Sequence, residues 1–194
     1  YAGAMVLLLA AAGWLVPAVI DLQPVLYLAL LWWLLALAWI LCYPTPVPPV
    51  VAAVAGALVL VPAWLALVAI LGVPDRGPAL ALVALGTIFA ADIGAYFAGR
   101  RFGRVRLAPQ VSPGKTWEGL FGGFLLATLT SVAGGLLVGM PPASMVPVGL
   151  GVAALSVVGD LTESMFKRSV GAKDSGHLIP GHGGVLDRLD SITA

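Results

Sequence analysis

Apolar residues run through this chain in long blocks, with no strand-like alternation of polar and apolar positions. Six blocks stand out, near residues 2–20, 24–43, 48–72, 79–99, 117–139 and 144–166. A bilayer core needs about 20 apolar residues for one helical crossing, and each block is of about that length. A spanning segment must satisfy its own backbone hydrogen bonds, so helices are expected rather than open strands. The pattern predicts an all-α, polytopic transmembrane bundle forming a single membrane domain. Pro17 and Pro62 are expected to kink or break their segments. Gly122, Gly123, Gly134, Gly135, Gly149 and Gly151 mark the last two blocks, where small residues let helices pack closely.

Composition agrees. The chain has 194 residues, 60% of them hydrophobic and 10% charged, against about 25% charged in a soluble domain. Its one cysteine, Cys42, excludes an internal disulfide framework. The net charge of +1 is uninformative, but its distribution is not. Arg100, Arg101, Arg104, Arg106 and Lys115 lie between the fourth and fifth blocks, and Lys167, Arg168, Lys173 and Arg188 follow the sixth. Together these are nine of the ten basic residues. Two crossings separate the clusters, so they share a side, which the positive-inside rule makes cytoplasmic. The first block lacks the flanks of a cleavable signal peptide. The start at Tyr1 and the end at Ala194 are those expected of a piece of a longer chain.

Candidate chemistry gathers in the last polar stretch, Ser164 to Asp190. Basic residues alternate there with Asp174, Asp187, Asp190 and the turn Pro180-Gly181-His182-Gly183-Gly184. Cations and glycines suit phosphate, because flexible backbone brings N–H groups close to anionic oxygens. Clustered carboxylates suit a hard divalent cation such as magnesium. Asp160, Glu163, Ser164 and Lys167, spaced i, i+3, i+4 and i+7, share one helical face. Asp187 and Asp190 do so too if a helix starts after Gly184. Asp92 lies within the fourth block, with Tyr96 on the same face. Inserting a central Asp costs on the order of 3 kcal/mol, so it needs a partner or water. Ser112-Pro113-Gly114-Lys115 reads either as a turn with an interfacial lysine or as a phosphate contact. The four arginines nearby read as topology and headgroup residues. No zinc spacing involves His177 or His182.

The string S-x-x-K-R-x4-K-D-x-G-x2-I-P-G-H-G-G-x-x-D-R-x-D from Ser164 resembles the signature of the phosphatidate cytidylyltransferases, also called CDP-diacylglycerol synthases. Ala91-Asp92-Ile93-Gly94-Ala95-Tyr96 and Ser112-Pro113-Gly114-Lys115-Thr116-Trp117-Glu118 resemble that family as well. The resemblance covers the second half of the chain in detail and the first half only as hydrophobic segments. It implies transfer of CMP from CTP to phosphatidate at the cytoplasmic face of a bacterial-type inner membrane. Among the residues it marks, Lys167, Arg168, Lys173, Asp174, Arg188 and Asp190 are the catalytic candidates. Ser112, Lys115, Ser164, His182, Gly183 and Gly184 are candidates for substrate binding, and Asp160, Asp187 and Asp190 for holding Mg2+, with acids enough for a second metal. The implied partners are CTP, phosphatidate and membrane lipids, without nucleic acid; a homodimer is admitted. The competing classes are a CTP-dependent polyprenol or dolichol kinase and, further off, a transporter.

Overall fold

The structure, a computed structural model, describes residues 22–45 and 47–169. The block near 2–20 and everything after Ser169 lie outside the described residues. Among the described residues five helices are long and apolar enough to cross a membrane: α1 (Leu22–Leu41), α2 (Pro49–Leu71), α3 (Gly77–Phe102), α4 (Trp117–Leu137) and α5 (Pro142–Ser169). Leucines along α1, including Leu26, Leu30, Leu34 and Leu41, are exposed on the protein surface, as lipid-facing residues should be. The chain is therefore an integral membrane protein.

Pro62, expected to kink or break its segment, does not break it: α2 runs through it from Pro49 to Leu71. A spanning helix tolerates proline because neighbouring groups satisfy the freed carbonyl. Pro147 is likewise inside α5. The polar connection after α3 is also more ordered than a plain loop. It forms an antiparallel hairpin of β1 (Arg106–Ala108) and β2 (Ser112–Thr116). Arg106 pairs with Thr116 and Ala108 with Ser112, with an irregularity between them. Pro113 lacks an N–H to give to a ladder, which fits its place in the irregular stretch.

Helices α3, α4 and α5 make the centre, with Ala91, Ala127 and Ala153 buried together against Phe124. Glycine sets the spacing of α3 and α4. A Cβ on Gly94 would lie 2.4 Å from the Gly122 carbonyl oxygen, and one on Gly122 would lie 2.3 Å from Ala98 Cβ. Only bare backbone fits there. Several hydroxyls within the spans are satisfied locally or across helices. Thr87, Thr128 and Thr162 donate to carbonyls one turn back, and Ser131 donates to the Met145 carbonyl at 2.9 Å, tying α4 to α5. Helix α1 packs on α5 through Trp32, Trp33 and Ala36, with Ala55 of α2 in the same cluster.

The hairpin is plugged into this frame by Val111, only 2% exposed, which packs with Ile40, Leu161 and Met165. Its exit is fixed as firmly. Thr116 caps α4 by accepting from the Gly119 N–H at 3.1 Å. Added Cβ atoms on Gly99, Gly103 and Gly119 would all come within 3.0 to 3.2 Å of the Thr116 Oγ1, so this side chain fills a notch made by three glycines. Val105 closes the loop. Its carbonyl accepts from Trp117 N at 2.9 Å, and its N–H points at both Glu118 carboxylate oxygens at 3.3 Å. Glu118 thus fastens the loop to the positive end of α4.

Candidate functional site

A cavity of about 600 Å³ lies where α3, α4 and α5 meet under the hairpin. Its apolar walls come from Ala91, Ala95, Leu120, Phe124, Ala153 and Val157, and its polar groups are Asp92, Tyr96, Arg100, Lys115, Thr116, Ser156 and Asp160. Those polar groups are arranged in depth. Counting back from the last residue of α3, Asp92 is ten positions inside, which at 1.5 Å per residue is about 15 Å below the helix end. Ser156 is buried and donates to Asp92 Oδ1 at 3.4 Å, which gives the acid inside the bundle a partner. One helical turn further along α5, Asp160 meets Lys115.

The Lys115–Asp160 ion pair ties the hairpin to α5 across 45 positions of sequence. Their side chains are 25% and 23% exposed, so the pair stands at the boundary between the packed bundle and the open end. Removing one partner of such a half-buried pair leaves the other charge uncompensated. The face shared by Asp160, Glu163, Ser164 and Lys167 resolves into two ion pairs: Asp160 reaches across to Lys115, while Glu163 pairs with Lys167 along the helix at 3.2 Å.

Of the candidates named from sequence, Lys115 and Asp160 line the cavity. Ser112 begins β2 opposite Ala108, and Ser164, Lys167 and Arg168 occupy the last turns of α5; none of these four lines the cavity. Lys173, Asp174, His182, Gly183, Gly184, Asp187, Arg188 and Asp190 lie outside the described residues, as does His177. Among the described residues no three His, Cys, Asp or Glu side chains converge as a metal site. Asp160 nevertheless supplies the oxygen donor that magnesium prefers, and this ion characteristically takes only one or two carboxylates beside water and phosphate.

Sequence reading passed over Ser156, named Gly114 only within its motif and assigned Arg100 to topology and headgroups; all three line the cavity. Helical phase held the signal for Arg100: Asp92, Tyr96 and Arg100 are spaced i, i+4 and i+8. The ends of α3 and α5 and the start of α4 come together here, so Arg100, Arg101, Arg104, Arg106, Lys115, Lys167 and Arg168 gather at one end of the bundle. Arg76 is at the other end, in the turn before α3, near Gly139.

The model of the cytidylyltransferase family matches residues 1–194. A phosphatidate cytidylyltransferase of Pseudomonas aeruginosa is 46% identical over 178 residues, which are 88% of this chain and 65% of that protein. One from Haemophilus influenzae is 50% identical over 127 residues, 62% of this chain and 44% of that protein. One from Synechocystis is 47% identical over 125 residues, 59% of this chain and 40% of that protein. The chain thus spans between 40% and 65% of the length of these relatives.

Proposed function

The chain belongs to the cytidylyltransferase family, and on that premise we propose that its protein transfers CMP from CTP to phosphatidate, releasing pyrophosphate and forming CDP-diacylglycerol. The observation that carries this reading is the Lys115–Asp160 pair in the wall of a cavity at the cation-rich end of a membrane bundle. A phosphate oxygen of phosphatidate attacks the α-phosphorus of CTP, and the bond to the β-phosphate oxygen breaks. The nucleophile is anionic at neutral pH, so the reaction needs no strong base. The barrier is the approach of two anions, which charge neutralisation and positioning lower. Lys115 holds a phosphate oxygen on the hairpin side. Asp160, with Asp187 and Asp190, is the proposed holder of magnesium, which supplies further charge neutralisation at the phosphates when bound. The apolar walls suit a lipid substrate.

We place the cavity mouth at the cytoplasmic face of a bacterial inner membrane, since seven basic residues crowd that end and nucleotides are available on that side. Cysteine at the exposed Gln110, after Cys42 is replaced, should react only with reagent that reaches the cytoplasm. The chemistry is tested by label position. With full-length protein, phosphatidate and magnesium, CTP labelled at the α-phosphorus should pass its label to lipid, and CTP labelled at the γ-phosphorus should not. Transfer of γ label to a lipid alcohol would mark a kinase instead and overturn the reading.

A further inference from the structure

Four arginines run from the last turn of α3 to the first residue of β1, and of these Arg100 alone lines the cavity. Its position is fixed by its own helix. Arg100 Nη1 donates to the Tyr96 hydroxyl at 2.6 Å, and its guanidinium carbon is 5.9 Å from the centre of the Tyr96 ring. A guanidinium carries five N–H donors in a rigid fork. One bond to tyrosine holds the group on the cavity side of its helix and leaves its other N–H donors for an anion. The other cation of the cavity wall, Lys115, already faces the Asp160 carboxylate. Among the described residues no carboxylate forms an ion pair with Arg100, so its positive charge is the less compensated of the two.

We propose that Arg100, oriented by Tyr96, is a phosphate clamp of this cavity, acting from the α3 wall as Lys115 acts from the hairpin. The proposal rests on the cytidylyltransferase reading for the identity of its ligands. The phosphate belongs either to the lipid or to the nucleotide, and the two sources are separable by experiment. Arg100→Gln, Arg100→Lys and Tyr96→Phe should be made in the full-length protein. Equilibrium binding of CTP and of phosphatidate in phosphatidylcholine vesicles should be measured beside turnover.

Arg100→Gln is expected to weaken one ligand by about tenfold or more, the loss of one charge-assisted contact. Weaker phosphatidate binding assigns the lipid phosphate, and weaker CTP binding assigns the nucleotide. Arg100→Lys should recover part of the loss, keeping the charge without the fork. Tyr96→Phe should weaken the same ligand by a smaller factor with little change in kcat, which a merely structural tyrosine would not do selectively. Arg101→Gln, a neighbour outside the cavity wall, should bind both ligands normally. Unchanged binding of both in Arg100→Gln would overturn the clamp while leaving the enzyme reading intact. A wild-type protein that binds both yet transfers no α label would overturn the enzyme reading while the clamp stood or fell on binding alone.

Discussion

The two ends of the α3–α4–α5 unit are both built on glycine, and they use it for opposite purposes. At the cation-rich end Gly94 and Gly122 bring backbone against backbone, and Gly99, Gly103 and Gly119 leave a notch that Thr116 fills. Close approach there holds the helices and hairpin still while a cavity of about 600 Å³ remains between them. At the other end two neighbouring glycines of α4 receive large side chains. Val83 lies over Gly134, and Met145 over Gly135, where an added Cβ would come within 2.3 Å of the Met145 Cγ. At Gly134 and Gly135 the contact is made by side chains that can move, whereas Gly94 and Gly122 are set against backbone that cannot. A fixed frame around open space suits a site where two anions must be brought into register.

The largest effect expected from breaking this difference is chemical. Asp160→Asn keeps size and removes charge, and turnover should fall at least about a hundredfold, on the order of 3 kcal/mol. A purely structural ion pair would behave otherwise: turnover would persist while thermal stability fell, and the double change Lys115→Met with Asp160→Asn would restore stability. Loss of turnover in that double variant as well would leave the site role standing.

Packing comes next. Gly122→Val sets a branched side chain against Ala98 and the Gly94 carbonyl, and should cost about 2–3 kcal/mol, the upper part of the range for overpacking. Gly135→Ala meets only the Met145 side chain. The atom met first is Met145 Cγ, so that side chain must take another rotamer, and the cost should be smaller, about 1–2 kcal/mol. Thermal unfolding in one detergent measures both, and equal losses would dissolve the contrast between the ends. A smaller effect is expected at Gly114, which lines the cavity and would have no atom within 4 Å of an added Cβ. Gly114→Val should leave the melting temperature unchanged and raise KM severalfold by occupying ligand space.

How far the sequence discloses this arrangement follows from the range of each interaction. The helical class is legible because lipid permits so few backbone solutions, and apolar blocks of spanning length state it directly. Gly122 and Gly123 read correctly as packing residues, since small side chains inside a span have few other uses. Their partners on α3 could not be read, because nothing in a glycine records which backbone it touches. The hairpin was missed because its strands are three and five residues long and interrupted by Pro113, too short for a pattern of period two to show. Lys115 and Asp160 were each legible as candidates by residue type and resemblance; their pairing, 45 positions apart, was not. Ser156 was hidden by its surroundings, one small polar residue in an apolar run whose value depends on Asp92 across the helix interface. Arg100 was submerged among four similar arginines until helical phase set it on the face of Asp92 and Tyr96.

The smallest predicted effect is the most sensitive probe of which α5 surface is covered. Gly149 and Gly151 are two residues apart on α5, roughly opposite in helical phase. An added Cβ on Gly149 would come within 2.7 Å of Thr128 Cα and 3.0 Å of Ser131 Cβ, whereas one on Gly151 would meet nothing within 4 Å among the described residues. Gly149→Ala should therefore press α5 away from α4 and lower stability, and it should strain the Ser131 bond to the Met145 carbonyl. Gly151→Ala adds a methyl group to an open face and improves helix propensity. In water that gain reaches about 1 kcal/mol. A spanning helix keeps its hydrogen bonds even when separated from its neighbours, so the gain here should be a few tenths of a kcal/mol at most. Thermal unfolding of the full-length protein separates the outcomes. A neutral or slightly higher midpoint for Gly151→Ala beside a lower one for Gly149→Ala leaves the outer face of α5 to lipid. A loss at Gly151 as large as that at Gly149 would show that face packed by protein, and the α3–α4–α5 unit would then be the interior of a larger bundle.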